Sequence, residues 1–276
     1  MPVELLRHIT YGKQSIGYRN ILPAHDLVNL VDSYQIVPSV DNTSIAQNDG
    51  IPTLVFLEND RGIVHFTNDT EEKAIQGAWF CSRPLKNTSI TLNNPGNYLL
   101  IIRFKPIALK CFKYRQPGDC DHKAVCALKE LFGAKMMILL NRMNETQHVP
   151  LKIKHLEHFL RGYWEIFCKT NKLLEEAVDY IRRVEGNMTI AAVAQKLGVN
   201  IKWLERNFND HLGLRPKEFA RIQRVLSAYN HLKTTPSCLL DAALSRGFYD
   251  ENHLIKEFKA YFGVSPSKYF KEKDTA

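Results

Sequence analysis

Residues 247–269 read GFYDENHLIKEFKAYFGVSPSKY and contain signals for a turn, a helix and a helix end. Gly247 permits the positive φ angle that a tight turn requires. Asp250 is placed to cap a helix that begins one residue later. Leu254 and Phe258 lie four residues apart and therefore share one helical face. The spacing predicts a turn followed by a helix with one apolar and one polar side.

A short helix is predicted over 241–246, so this segment forms a helix-turn-helix unit. The pattern recurs 49–50 residues earlier, with helices over 190–197 and about 201–211. A longer helix over 216–232 joins the two copies, and its Pro216 suits the first helical turn. The matched positions are Ala194 and Ala243, Gly198 and Gly247, Leu204 and Leu254, Phe208 and Phe258, Gly213 and Gly263, and Pro216 and Pro266.

This repeat favours DNA binding. Either unit alone could equally be a helical hairpin with a solvated charged face. Two copies on one rigid helix would set two recognition helices about one DNA turn apart, roughly 34 Å. We expect contacts with bases and phosphates from polar positions at and after the start of each second helix. The candidate DNA-binding residues are Asn200, which also suits a helix cap, Lys202, Glu205, Arg206, Glu251, Asn252, Ile255, Lys256 and Lys259.

Residues 173–271 resemble the DNA-binding domain of the AraC/XylS family of bacterial transcription regulators, most specifically over 247–259 and 262–269. The resemblance implies seven helices, two of which read promoter DNA. Ala242 departs from the family pattern, which usually has Ile or Leu there. Glu205 and Glu251 are acidic where neutral or basic residues are common. A carboxylate repels phosphate but accepts a hydrogen bond from cytosine N4, so the base preference stays open.

The first 110 residues predict a β-rich fold. Short apolar runs between turn signals indicate strands over 53–57, 62–66, 78–81, 89–92 and 98–104, in an antiparallel sandwich or barrel. Residues 51–56, 77–80 and 100–106 resemble the cupin-like sensor domain of one branch of these regulators. The fold class is therefore α+β. We expect a β-rich sensor and dimerisation domain over 1–170 and a double helix-turn-helix domain over 171–276.

Two helices are expected between these parts, the first over 123–143 and the second with an apolar face from Ile153 to Phe167. The apolar stripe on the first helix serves either packing within the domain or dimerisation. Six cysteines are present, and Cys120, His122 and Cys126 could suggest a metal site. Separate reduced thiols are the better interpretation, because zinc sites favour tighter paired spacings.

Several single residues have two interpretations. Arg103 either forms a structural ion pair or grips an anionic ligand. The aromatic residues Trp79, Phe80 and Phe104 either fill a core or line an effector pocket. His65 has no neighbouring histidine in an H-x-H pattern, so a surface or core role is favoured over metal ligation.

The leading hypothesis is a sequence-specific DNA-binding transcription regulator with no enzymatic activity, metal or cofactor. The sequence contains no G-x-S-x-G motif, no phosphate-binding Gly-rich loop and no H-E-x-x-H motif. Its partners would be double-stranded promoter DNA, RNA polymerase, a small-molecule effector in the N-terminal domain and a second copy in a homodimer. The rival is a cupin-like small-molecule-binding or metal-dependent enzyme domain with an accessory helical domain.

The bulk composition agrees with an anionic partner, since the net charge is +8. No apolar stretch approaches the 18 or more residues that a membrane span needs, and no secretion signal is evident. The expected location is the bacterial cytoplasm, in association with the nucleoid, with no membrane partner.

Overall fold

The structure is a computed structural model that describes residues 19–39, 43–46, 49–68, 71–108, 124–164, 171–235 and 238–274. Cys111, Cys120, His122 and Cys168 lie outside these residues, so the suggested metal cluster cannot be placed. None of the described helices is both long enough and apolar enough to cross a membrane.

The N-terminal part contains two antiparallel sheets. The strand order is β1-β2-β9-β4-β7-β10 in the larger sheet and β3-β8-β5-β6 in the smaller sheet. Three of the five predicted strands are confirmed at their bounds and the other two within one residue. The strands are β1 (Arg19–Ile21), β2 (Val31–Pro38), β3 (Thr43–Ala46), β4 (Thr53–Leu57), β5 (Ile63–Thr67), β6 (Glu72–Gln76), β7 (Ala78–Cys81), β8 (Thr88–Asn93), β9 (Tyr98–Phe104) and β10 (Val125–Ala127).

The larger sheet is the middle of three layers. Alternate residues of β9 point to opposite faces, as the pleat of a strand requires. Leu100 and Ile102 join a core beneath the following helices, whereas Leu99 and Ile101 join the core between the two sheets. The sheet is covered on both faces, which explains why β9 is apolar almost throughout. Phe80 and Phe104 lie in the first core and Trp79 in the second, so all three are core residues.

Three helices follow: α1 (Leu128–Phe132), α2 (Ala134–Asn144) and α3 (Val149–Trp164). The prediction of one continuous helix over 123–143 was wrong. Residues 125–127 pair with β7 as the edge strand β10. Helix α1 then ends at Gly133, and α2 begins at the next residue. Leu128, Phe132, Met136, Leu139 and Met143 are buried in the core with α3. The apolar stripe therefore serves packing within the domain.

The C-terminal part consists of helices throughout its described residues, and their predicted positions are confirmed to within about two residues. These helices are α4 (Lys172–Arg183), α5 (Ile190–Leu197), α6 (Ile201–Leu212), α7 (Pro216–Thr234), α8 (Leu239–Ser245), α9 (Glu251–Phe262) and α10 (Pro266–Asp274). The expected caps are present: the side chains of Thr189, Asn200 and Asp250 accept hydrogen bonds from the first turns of α5, α6 and α9.

A buried ion pair lies where the sheets meet the helical part. The two terminal nitrogens of Arg103 donate to the carboxylate of Asp49 at 3.2 and 2.5 Å, and both side chains are almost fully buried. Burial alone would raise the pKa of Asp49, but attraction and hydrogen bonds from Arg103 outweigh it and lower this pKa. Arg103 therefore has the structural role, and its guanidinium is directed at a carboxylate.

Residues next to the Arg103–Asp49 ion pair contact the helical C-terminal part. Gln223 of α7 donates from its side-chain amide to the backbone carbonyl of Asp49 at 2.7 Å. Ile51 is buried in the same core as Leu204, Phe208 and Phe219. The segment around 49–51 is thus packed with the first helix-turn-helix unit, although it lies within the predicted N-terminal domain. The boundary at 170 stays a prediction.

We predict that Asp49→Asn destabilises the protein by about 3 kcal/mol, because it removes the buried carboxylate with which Arg103 makes its short ion pair, while the contact of Arg103 with the partly exposed Asp32 is longer, at 3.7 Å. The pKa of Asp49 is lowered in the folded protein, so the ion pair stabilises the wild type above the unfolded pKa of about 3.9. This contribution is lost as the pH falls further, through the folded pKa. Urea unfolding from neutral to acidic pH measures both effects.

Asp26→Asn is the matched control, since it removes a carboxylate that pairs with Arg161 at an exposed position. It should barely change the free energy of unfolding. Equal stability of the two variants at neutral pH would contradict the role given to the buried pair.

Candidate nucleic-acid interface

The first helix-turn-helix unit consists of α5 and α6. Gly198 ends α5 in the left-handed conformation with φ of 65°. The side-chain oxygen of Asn200 then accepts from the backbone N–H of Trp203 at 2.7 Å and caps α6. Leu204 and Phe208 are fully buried. These residues fix one face of α6 against the core and leave the other face to solvent.

The exposed face of α6 contains the predicted residues. Lys202, Glu205 and Arg206 are all exposed, as a recognition helix requires. Asn200 is exposed too, but its side-chain oxygen is used by the cap. Only its amide NH2 group could donate to DNA, so Asn200 is suited to a phosphate contact more than to base reading.

The second unit consists of α8 and α9. Gly247 has φ of 75° in the turn, and the Asp250 side chain caps α9 by accepting from the N–H of His253 at 2.7 Å. Leu254 and Phe258 are fully buried, in a core that also contains Ala242. The exposed residues of α9 include Glu251, Asn252, Lys256 and Lys259, while Ile255 is half-buried.

Helix α7 connects the two units and contributes to both cores. Phe219 and Ala220, in its first half, are buried with the first unit. Ile222, Val225 and Tyr229 are buried with the second unit. Its 19 residues span about 28 Å at 1.5 Å per residue. One helix therefore holds both units in place, as the spacing of the repeat predicts.

Polar contacts that the sequence analysis did not foresee add to this connection. Arg224 of α7 donates to the backbone carbonyls of Gly186 and Gly247 at 3.2 and 3.3 Å, so it links the turn that leads into the first unit to the turn of the second unit. Burial lowers the pKa of Arg224, and attraction to Glu257 opposes that shift. The carbonyl contacts replace part of the water that this guanidinium loses on burial.

A second polar tie runs between the turn after α4 and the turn after α8. Arg246 donates to the carboxylate of Glu185 at 2.6 Å, and Ser227 of α7 donates to the same oxygen at 2.6 Å. Arg246 also contacts Nδ1 of His231 at 3.1 Å. Charge-assisted hydrogen bonds of this kind are the stronger ones. They fix the orientation of α8 relative to the first unit.

The loop between β7 and β8 contacts the second unit. The backbone N–H of Asn87 donates to the carbonyl of Tyr261 in α9 at 3.0 Å. The Lys86 ammonium forms an ion pair of 2.9 Å with Glu218 of α7 and lies 5.7 Å from the centroid of the Tyr261 ring. The β-rich part therefore contacts both units, the first through 49–51 and the second through this loop.

The rival hypothesis of a metal-dependent enzyme needs clustered ligands. Within the described residues, no group of three or more His, Cys, Asp or Glu side chains is arranged to hold a metal ion. His65 of β5 lies 3.3 Å from the carboxylate of Glu72 on the neighbouring strand β6. The cupin-like character of the sheets stays a prediction.

Fold and site together define a two-part protein with a β-rich N-terminal region and a double helix-turn-helix unit whose two second helices expose polar, partly basic faces. Residues 173–272 match a family model described as a helix-turn-helix domain. The chain is 37% identical over 91 residues to the HTH-type transcriptional activator AarP of Providencia stuartii, covering 31% of this chain and 67% of AarP. The probable transcription factor PqrA of Proteus vulgaris is 34% identical over 106 residues, covering 38% of this chain and 84% of PqrA.

The chain thus belongs to the AraC/XylS family of DNA-binding transcription regulators. Another relative, the HTH-type transcriptional regulator MtrA of Neisseria gonorrhoeae, is 33% identical over 117 residues, which cover 42% of this chain and 37% of MtrA. Among solved structures, ToxT from Vibrio cholerae O395 aligns with 93% of this chain at 14% identity and a TM-score of 0.46, with 98% of ToxT covered.

We predict that Gly247→Ala destabilises the helical part more than Gly198→Ala. Both residues have positive φ, so each alanine costs roughly 1–2 kcal/mol in backbone strain. A Cβ on Gly198 would meet open space, whereas a Cβ on Gly247 would lie 2.2 Å from the side-chain oxygen of Asn187, in the turn that leads into the first unit. Thermal unfolding of the two variants separates the cost of backbone strain, which both share, from the cost of the steric clash at Gly247. Equal losses of stability would contradict the close packing of the two units.

Proposed function

We propose that this protein binds promoter DNA with α6 and α9 in successive major grooves and thereby controls transcription. The observation that carries the proposal is the duplicated unit. Each second helix buries Leu and Phe at matching positions and exposes polar residues along the other side. Helix α7 and Arg224 join the units at defined positions. Two helix-turn-helix units joined in this way would bind DNA as a single rigid unit.

Each exposed residue suits a particular kind of contact. Arg206 and Lys256 are suited to O6 and N7 of guanine, and Asn252 to adenine. Glu205 and Glu251 can accept from cytosine N4, while Ile255 can contact a thymine methyl group. The remaining residues, Asn200, Lys202 and Lys259, are suited to phosphates, which fix the register of a protein on DNA.

Further parts of the proposal concern the N-terminal region and the cell. The β-rich region would bias DNA binding through an effector or through dimerisation, and RNA polymerase would be a partner at the promoter. The protein would act in the bacterial cytoplasm at the nucleoid. The contacts of the β-rich region with both helix-turn-helix units support the first of these parts, the influence of this region on DNA binding.

We predict that Arg206→Ala and Lys256→Ala each weaken binding to the specific site by about 1–3 kcal/mol, the contribution of one good base contact. Genomic footprinting first identifies a bound promoter. Fluorescence anisotropy then measures affinity for that fragment and for a scrambled fragment at several salt concentrations. Affinity should fall steeply as salt rises, because phosphate contacts release counterions.

Lys154→Ala is the control, since Lys154 is exposed on α3 in the N-terminal part. It should leave both affinities close to the wild-type values. Undiminished specific binding by the Arg206→Ala, Lys256→Ala double variant would exclude these helices as the readers of DNA.

We also predict a homodimer that uses the outer side of α2 and α3. Their inner side is filled by the core, but Met137, Ile138 and Leu151 remain 49%, 56% and 42% exposed. A contiguous apolar patch on a protein surface marks an interface, and we expect these three side chains to form one. Ile138→Glu should shift the protein toward monomer in sedimentation equilibrium, whereas Lys217→Glu, at an exposed position of α7 outside this surface, should not. A wild-type protein that stays monomeric at high concentration would contradict this prediction.

A further inference from the structure

The turns of the two helix-turn-helix units differ in length by one residue. In the first unit, the backbone N–H of Val199 donates to an alanine carbonyl of α5 at 3.0 Å, and Asn200, the cap of α6, follows directly. In the second unit, the backbone N–H of Phe248 donates to the matching alanine carbonyl of α8 at 3.0 Å. The cap of α9 is Asp250, which lies one residue further along. Tyr249 is therefore the additional residue of the second turn.

The side chain of Tyr249 lies almost entirely in solvent. It is 86% exposed, more than any other large hydrophobic side chain in the part of the chain that the structure describes. Its backbone is nevertheless held in place. The N–H of Tyr249 donates to Nδ1 of His253 in the first turn of α9 at 3.3 Å, and the preceding Phe248 is buried in the core of the second unit. The turn thus presents a phenol at a defined place beside the start of α9.

The start of α9 lacks the positive charge that is present at the start of α6. The first turn of α6 contains Lys202 and no acidic residue, whereas the first turn of α9 contains Glu251 and no lysine or arginine. Asp250 adds a second carboxylate at this end, and Nδ1 of His253 already accepts from the backbone. The remaining polar residue of the turn, Asn252, is suited to adenine. A phosphate beside this end of α9 would therefore need a donor from outside the helix.

We propose that the hydroxyl of Tyr249 donates a hydrogen bond to a phosphate beside the groove that α9 enters, an inference that rests on the proposed DNA-binding function. The first residues of a recognition helix contact base edges, so a side chain just before them lies close to the backbone of the duplex. Tyrosine is among the residues that contact phosphates. A lysine at this position would pair with the nearby carboxylates, whereas the phenol is neutral and stays free for DNA. The contact would fix the register of α9 without reading sequence.

The first test compares the full-length wild type with Tyr249→Phe, which removes the hydroxyl and keeps the ring. Fluorescence anisotropy measures affinity for the footprinted promoter fragment and for a scrambled fragment. Tyr249→Phe should weaken both by about tenfold, roughly 1.4 kcal/mol, as expected for a hydrogen bond to a charged acceptor. Tyr98→Phe, in strand β9, is the matched control and should weaken neither. Wild-type affinity in Tyr249→Phe would overturn the inference, and a loss confined to the promoter fragment would overturn the phosphate as its partner.

Salt dependence separates a neutral donor from a charged one. Each phosphate that a lysine or arginine neutralises releases counterions, so the binding constant falls more steeply with salt. Lys202→Met should reduce the slope of the logarithm of the binding constant against the logarithm of salt concentration by about 1. Tyr249→Phe should lower the affinity and leave this slope at the wild-type value. A reduced slope in Tyr249→Phe would overturn a contact made by an uncharged group.

Ethylation interference locates the phosphate itself. Ethylation of one phosphate beside the segment read by α9 should impair binding of the wild type and have no effect on Tyr249→Phe. Because Tyr249 is exposed, this variant should unfold at the wild-type temperature, so its loss of affinity is not a loss of fold. Identical interference patterns in the two proteins would overturn the contact.

The wild type alone decides the proposed function. A wild type that binds no promoter DNA would overturn that function and this inference with it. A wild type that binds its promoter, with an unchanged affinity in Tyr249→Phe, would overturn this inference alone.

Discussion

Helix α7 is the element on which the rest of the C-terminal structure depends. A helix-turn-helix unit of two short helices exposes too much apolar surface to be stable alone, because its buried face needs a third element. Here one helix supplies that element to both units. Phe219 completes the first core and Tyr229 the second. The two cores are therefore joined through one continuous backbone, and the position of each unit constrains the position of the other.

Polar contacts also restrict the placement of the two units relative to each other. Arg224 bonds the carbonyls of the turns at Gly186 and Gly247, and Arg246 bonds Glu185 across the two units. A core packed only by apolar groups would tolerate small rotations of one unit against the other. Hydrogen bonds with defined directions restrict such rotations. The shared helix thus sets the distance between the units, and the arginines restrict their orientation.

The helical part could be predicted closely from the sequence because its signals are local. Caps such as Asn200 and Asp250 lie within a few residues of the helices that they begin, and Leu254 and Phe258 mark a buried face by their spacing alone. The sheets were harder to predict. Strand β2 has buried polar residues, Ser33 and Gln35, which hide its apolar pattern. The bounds of its partner β9 were predicted correctly, because that strand is apolar nearly throughout.

Contacts between distant segments left no sequence signal. The charge at Arg103 suggested an ion pair, but nothing in the sequence pointed to Asp49, which lies 54 residues away. The contacts of Arg224 with the carbonyls of Gly247 and Gly186 span 23 and 38 residues, and the contact of Lys86 with Glu218 spans 132. The exposed residues of α6 and α9 were predicted correctly as solvent-facing because helical spacing determines exposure. The bases or phosphates that these residues would contact depend on three-dimensional geometry, which the spacing of residues along the sequence does not give.

The sharing of α7 also has a consequence for the DNA that such a protein would select. Two readers fixed on one rigid helix cannot slide apart to follow an operator whose two contacted segments are one base pair too far from each other. The duplex would have to overtwist or bend instead, and the elastic energy of that distortion depends on the base steps in between. Bases that the protein never touches would then influence which promoters it occupies.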